Sequence, residues 1–173
     1  MGTKGREIVE LNHEELLNLL NKALSDEWLA YYQYWIGAAV VKGAMHGEVE
    51  KELAQHAKEE LEHAEILIKR ITQLGGTPVL KPEEWYKLTN CGYDAPVDTD
   101  TEKLLIQNIK GEQCAIGTYK KLIEFLDHKD IITKHLVIEI LEDEVEHEED
   151  LEVILEDLRM LKTKTIDGGV WKT

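Results

Sequence analysis

The stretch EELEHAE, residues 59–65, contains a Glu-x-x-His pattern, and EDEVEHEE, residues 142–149, contains it again 84 positions later. The residues concerned are Glu60 and His63 in the first stretch and Glu144 and His147 in the second. Positions three apart lie on one face of an α-helix, so each pair is expected to point in one direction. The repetition predicts a fold built from two related halves.

Length and composition predict one domain spanning residues 1–173. Hydrophobic residues make up 43% and charged residues 32% of the chain, which is typical of a globular protein with much helix. No apolar run approaches the ~18 residues that a membrane span needs. The opening segment MGTKGREIVELNHEE has no hydrophobic signal core, so we expect a cytoplasmic protein without a membrane partner.

The chain is strongly acidic, with 35 acidic against 20 basic residues and a formal charge of -15. Nucleic acids and anionic membranes are bound by clustered Lys and Arg, so a general nucleic-acid surface is not expected. Cations are the more natural partners. Acidity alone is equally typical of a helical surface that only keeps a protein soluble.

Apolar residues at helical spacing predict four long helices. They run over about residues 12–42, 47–74, 99 or 101 to 127, and 131–161. Asn12 is the expected N-cap of the first helix, with Glu15 as its capping-box partner. Short turns join the helices into two antiparallel hairpins, and a long crossover, about residues 75–100, connects them. The predicted fold is therefore an all-α four-helix bundle over about 12–161, with a short helix at PEEWYKL in the crossover and a short tail, residues 162–173.

Six acidic or histidine residues occupy stripe positions that are otherwise apolar. They are Glu27, Glu60, His63, Glu112, Glu144 and His147. Each hairpin offers one Glu from its first helix and one Glu-x-x-His from its second. Four carboxylates in a low-dielectric core repel one another, and two divalent metals would neutralise them, with imidazole donors that suit iron or manganese. The alternative is a set of solvated glutamates on a different helical register, with Glu59 or Glu146 in place of a neighbour.

This pattern resembles the ferritin-like di-iron carboxylate proteins, most closely the bacterioferritins, the Dps-like proteins and the thioferritins. The resemblance implies that the six residues are ferroxidase ligands, with Glu60 and Glu144 bridging two iron ions in each subunit. It also implies that Tyr34 is the tyrosine that many ferritins keep beside the metals, although Tyr34 is equally a core aromatic. Leu61 stands where bacterioferritins place a haem-binding methionine, so no haem is expected.

The activity implied by the resemblance is oxidation of Fe(II) by hydrogen peroxide or dioxygen, with storage of the oxidised iron and an antioxidant role. Two other classes use the same six residues. One is a manganese-catalase-like or other di-metal oxidoreductase without iron storage. The other is a non-catalytic protein in which the metal is only structural.

A dodecameric cage is expected from the same resemblance. The larger ferritin shells have a fifth helix after the bundle, whereas only KTKTIDGGVWKT follows Leu161, interrupted by Gly168 and Gly169. PEEWYKL resembles the short helix that Dps-type proteins place at a twofold contact, where Trp85 and Tyr86 would anchor association. The alternative for this aromatic pair is local packing beneath the crossover.

Cys91 lies in the crossover and Cys114 follows Glu112 by two residues. Thioferritins resemble this chain in having one cysteine in each of these places. Three interpretations remain open: a redox pair that forms a disulfide as peroxide is reduced, a structural disulfide, and two inert thiols.

Overall fold

The computed structural model describes residues 2–167 and places six helices in them. They are α1 (Thr3–Glu7), α2 (His13–Val40), α3 (His46–Gln73), α4 (Pro82–Leu88), α5 (Thr101–Leu126) and α6 (Ile131–Asp167). Helices α2 and α3 pack along each other, as do α5 and α6, and the two hairpins pack together. The predicted all-α four-helix bundle is confirmed, with α4 as the short helix of the crossover. None of these helices combines the length and the apolar character needed to cross a membrane.

Side-chain caps explain where three of the long helices begin. The Asn12 side chain accepts a hydrogen bond from the Glu15 backbone N–H at 3.1 Å, as the sequence predicts. Asp100 caps α5 in the same way. Asp130 accepts from the Thr133 backbone N–H at 3.0 Å at the start of α6.

The helices differ from the sequence prediction in two places. Helix α1 was not predicted, because its five residues include a glycine and carry no apolar repeat. The segment after it is held by tertiary packing, since Val9 is buried against the bundle and the Glu10 N–H donates to the Lys129 carbonyl. Helix α6 continues to Asp167, six residues past the expected end. The Gly168-Gly169 interruption lies outside the described residues.

The end of the crossover is fastened beside the end of α2. The Lys42 N–H donates to the Thr99 carbonyl and the Thr101 N–H donates to the Lys42 carbonyl. Gly43 has φ +121°, and a Cβ there would lie 3.1 Å from Oγ1 of Thr101. Glycine therefore permits both the positive φ and the close approach that set the start of α5.

Within the crossover, Trp85 stacks on Trp28 of α2 with ring centroids 5.4 Å apart. Trp85 therefore has a packing role within the single chain, and the subunit contact expected for Trp85 and Tyr86 stays a prediction. Tyr86 is exposed and remains a candidate for such a contact.

The apolar core consists of two clusters at different levels of the bundle. One includes Leu20, Leu67 and Tyr119, and the other includes Tyr34 and Leu53. Between these clusters lies a layer of buried acidic and histidine side chains. The fold therefore surrounds that polar layer with hydrocarbon above and below.

Candidate di-metal site

The buried polar layer contains all six residues that the sequence singles out. We call them the six-residue cluster: Glu27 on α2, Glu60 and His63 on α3, Glu112 on α5, and Glu144 and His147 on α6. Each is at most 3% exposed. All four long helices contribute, so the cluster forms only when the two hairpins pack together.

The cluster divides into two groups of metal-ligating atoms that share Glu60 and Glu144. One group adds Glu27 and His63, and the other adds Glu112 and His147. Within each group the ligand atoms lie within 4.8 Å of one another. Two groups with two carboxylates in common are the arrangement in which those carboxylates bridge a pair of ions.

Both imidazole rings direct Nδ1 toward the carboxylates. His63 Nδ1 lies 3.3 Å from oxygens of both Glu27 and Glu144. His147 Nδ1 lies 3.4 Å from Glu60 Oε1. Neither Nδ1 has a hydrogen-bond partner, so both nitrogens face the carboxylates at the position where a metal would replace the ring proton.

The outer nitrogen of each ring faces a second carboxylate. His63 Nε2 lies 3.1 Å from Asp143, and His147 Nε2 lies 3.0 Å from Glu59. A carboxylate that accepts the Nε2–H fixes the tautomer that leaves the Nδ1 lone pair for a metal. This contact was not predicted for either acid. The signal was their matching position, directly before Glu60 and Glu144.

Two buried tyrosines hold the outer carboxylates. The Tyr34 hydroxyl donates to Glu112, and the Tyr119 hydroxyl donates to Glu27, so each tyrosine reaches the opposite hairpin. Burial raises the pKa of both phenols well above its ordinary value, which keeps them protonated as donors. Tyr119 was missed, although it follows Glu112 by the same seven positions that separate Tyr34 from Glu27.

Electrostatics in the metal-free cluster favour retained protons. Burial, followed by the negative charges of neighbouring glutamates, raises the pKa of Glu27 and of Glu112 well above its ordinary range. Burial acts to lower the pKa of His147, but the carboxylates of Glu144 and Glu60 outweigh it and raise that pKa to about 11. The pKa of His63 is raised in the same way, by Glu144, Glu27 and Glu60 against burial. A metal therefore has to displace protons to enter.

The unpaired atoms of the cluster fit divalent cations. Several buried atoms have no hydrogen-bond partner: Glu27 Oε2, Glu60 Oε1, both carboxylate oxygens of Glu144, and Nδ1 of His63 and His147. A buried polar group without a partner costs roughly 1–3 kcal/mol, and more if charged. Two divalent ions would satisfy these atoms and balance four carboxylates.

A cavity of about 220 Å³ reaches the cluster from the side covered by the crossover. All four glutamates of the cluster line it, together with Cys91. Cys91 is joined to Cys114 by a disulfide, with Cα atoms 5.7 Å apart. Of the three interpretations, the two inert thiols are wrong for this structure, which holds the oxidised pair beside the cavity.

Asp26 fixes the crossover at this level, a role that the sequence analysis did not find. Its buried carboxylate accepts hydrogen bonds from the backbone N–H groups of Asn90 at 2.7 Å and Cys91 at 3.0 Å, and from the side chains of Thr89 and Asn90. Because Asp26 precedes Glu27, the same turn of α2 positions both the cluster and the cavity wall. No helical repeat would have shown this.

Comparison with known proteins gives a consistent result. The ferritin-like domain family matches residues 17–161. The DNA protection during starvation protein of Pyrococcus furiosus is 35% identical over 161 residues, which is 90% of this chain and 86% of that protein. Bacterioferritin of Brucella melitensis is 29% identical over 143 residues, covering 82% and 83% of the two chains. Among solved structures, the dodecameric, bacterioferritin-related thioferritin of Bacteroides fragilis superposes with a TM-score of 0.91 at 43% identity, covering 94% of this chain and 98% of that one.

Proposed function

The chain belongs to the ferritin-like family, and we propose that it oxidises Fe(II) at the six-residue cluster and stores the product. The observation that carries this proposal is the pair of ligand groups sharing Glu60 and Glu144. Iron is the substrate, and each bound Fe(II) supplies one electron to the oxidant. The bridging carboxylates hold two ions close together, so a two-electron oxidant meets both donors at once.

The remaining residues orient the outer ligands and admit the oxidant. Tyr34 and Tyr119 hold Glu112 and Glu27, while Asp143 and Glu59 hold the two imidazoles. The cavity beside Cys91 supports entry of a small oxidant. Hydrogen peroxide is the oxidant we propose, with dioxygen as the alternative. One peroxide accepts two electrons and two protons and yields two waters, so two Fe(II) are consumed for each peroxide.

We propose further that the Cys91–Cys114 disulfide takes part in the redox cycle. The dithiol loses two electrons and two protons when it forms the disulfide, and those electrons would reduce one further peroxide. The position of Cys91 on the cavity wall supports this role over a purely structural one. Thiols should be counted before and after peroxide on protein first reduced by a dithiol reagent. Loss of two thiols per chain at a rate that iron accelerates supports the role, and an unreactive dithiol contradicts it.

We also propose a dodecameric cage, supported by the similarity to the dodecameric thioferritin. Twelve chains of 19.9 kDa would give a mass of about 240 kDa in solution. Light scattering coupled to size exclusion measures this mass directly. A particle of twice that mass, or a monomer, contradicts the dodecamer.

The oxidation itself is tested by anaerobic Fe(II) loading followed by measured additions of peroxide. Native protein is expected to consume two Fe(II) per peroxide, and the variant Glu60→Ala/Glu144→Ala should lose this activity. The variant Glu62→Ala/Glu149→Ala removes the same charge from exposed positions of the same helices and should retain it. Equal rates in all three proteins would contradict the proposal.

A second candidate, the manganese-catalase-like oxidoreductase, uses the same cluster and cavity. It predicts release of dioxygen from peroxide without net oxidation of iron. Measuring dioxygen evolution from the manganese-loaded and the iron-loaded protein separates the two functions. Sustained dioxygen release without iron uptake would favour the alternative.

A further inference from the structure

A second cavity, also about 220 Å³, opens between α3 and α6 on the other side of the six-residue cluster. His56 lies in its wall, is 1% exposed, and has no hydrogen-bond partner for either ring nitrogen. The ring is held in place by its neighbours, since it stacks on His147 with centroids 4.1 Å apart and meets Tyr34 edge to face. An imidazole buried this firmly without a partner requires an explanation.

The free Nε2 of His56 points at two carboxylates. It lies 3.3 Å from Glu52 Oε1 and 3.9 Å from Asp150 Oδ2, without the alignment of a hydrogen bond. Glu52 precedes His56 by one helical turn, and Asp150 comes from α6, so two helices supply the donors. The three donor atoms lie within 4.8 Å of one another. Two atoms that bind the same ion, each about 2.1 Å from it, can be no more than ~4.2 Å apart. The distances from His56 Nε2 to Glu52 and to Asp150 are both within this limit.

The internal repeat shows that bundle packing does not require these polar residues. Shifting by the 84 positions that relate Glu60 to Glu144 places His56 opposite Ile140, Glu52 opposite Leu136, and Asp150 opposite Ile66. Ile140 is fully buried, and Ile66 packs against the apolar core. The other half of the fold thus fills the equivalent positions with hydrocarbon.

The geometry points to a third metal site, formed by Glu52, His56 and Asp150, that binds a divalent first-row transition metal ion. Two carboxylates and one neutral imidazole suit such an ion better than Ca²⁺ or Mg²⁺, which take oxygen ligands. Both carboxylates are partly exposed, so an ion enters from solvent. Binding here does not depend on the proposed oxidation. The stacked His147 ring places this site next to the six-residue cluster, so an ion held here is positioned to move into or out of it.

Co(II) is a suitable probe because it is not readily oxidised by air when carboxylates and imidazole bind it. Equilibrium dialysis counts the ions bound per chain. Native protein is expected to bind one more Co(II) per chain than Glu52→Gln/Asp150→Asn. The control Glu50→Gln/Glu149→Gln makes the same charge change at exposed positions of the same two helices and should match native protein. His56→Leu, which copies the apolar character of the other half, should also lose one ion.

Anomalous scattering from Co(II)-loaded crystals gives the position of the ion. A peak bonded to His56 Nε2 and to the carboxylates of Glu52 and Asp150 supports the site. Equal Co(II) counts in native protein and Glu52→Gln/Asp150→Asn, or an additional ion bound at Glu59 and Asp143 instead, would overturn it. Failure of iron oxidation in the native protein would leave these counts unchanged, so the two proposals fail separately.

Discussion

Removing the carboxylates behind His63 and His147 should weaken the proposed metal binding without touching any proposed ligand. Asp143 faces Nε2 of His63 at 3.1 Å, and Glu59 faces Nε2 of His147 at 3.0 Å. In Asp143→Ala or Glu59→Ala the affected ring loses the acceptor that fixes its tautomer and its orientation. The ligand remains present but spends less time with Nδ1 directed at the metal.

The size of the effect follows from how exposed each acid is. Loss of such an orienting partner typically costs 10- to 100-fold in metal affinity. The Asp143 side chain is 53% exposed, so water replaces it in part, and we expect a loss of about 10-fold, or ~1.4 kcal/mol. The Glu59 side chain is 33% exposed, and the expected loss is larger, about 30-fold or ~2 kcal/mol.

Anaerobic titration of Fe(II) against a competing chelator measures these affinities at fixed pH. Glu62→Ala removes a charge from an exposed position of α3 and serves as the control, with an expected change of less than about 2-fold. Asp143→Asn keeps an acceptor oxygen and should lose less affinity than Asp143→Ala. Native affinity in both alanine variants, or an equal loss in Glu62→Ala, would refute the orienting role.

The protonated cluster, the two buried tyrosines and the disulfide can each be tested by a measurement of their own. The pKa values of Glu27, Glu112, His63 and His147 are raised, so an entering metal displaces protons from the cluster. Metal affinity should therefore rise from about pH 6 to 8, by more than 10-fold per pH unit if more than one proton leaves. A pH-independent affinity would contradict this. Tyr34→Phe or Tyr119→Phe leaves a buried carboxylate oxygen without its hydrogen-bond donor and should lower the free energy of unfolding of the metal-free protein by about 1–3 kcal/mol. Urea unfolding measures this loss, with the less buried Tyr31→Phe as the control. An equal loss in Tyr31→Phe would count against the prediction. Cys91→Ser/Cys114→Ser opens a loop between residues 23 positions apart and should lower the free energy of unfolding by about 3 kcal/mol. An unchanged unfolding midpoint would show that the disulfide contributes nothing to stability.

The six-residue cluster was predictable because its members interrupt an apolar repeat. A glutamate such as Glu60 or Glu144 at a core position of a long amphipathic helix has no explanation in packing. The repeat of 84 positions then ties the two halves together. Tyr119 was predictable from the same repeat, because it matches Tyr34 in the other half, but it was not predicted.

The residues that orient the cluster were not predictable in the same way. Asp143 and Glu59 are partly exposed, and on an acidic chain they resemble any other solvated carboxylate. Asp26 acts by accepting hydrogen bonds from an irregular segment whose course depends on the packed bundle. Helix α1 is too short to show a period, and its position depends on the burial of Val9.

We propose that each chain holds two metal ions bridged by Glu60 and Glu144. Anomalous scattering at the iron edge, from crystals loaded with Fe(II) without oxygen, tests it most directly. We expect two peaks among the four carboxylates, one on the His63 side and one on the His147 side, with Glu60 and Glu144 bonded to each. A single peak in that layer, or iron bound only at surface carboxylates, would contradict it.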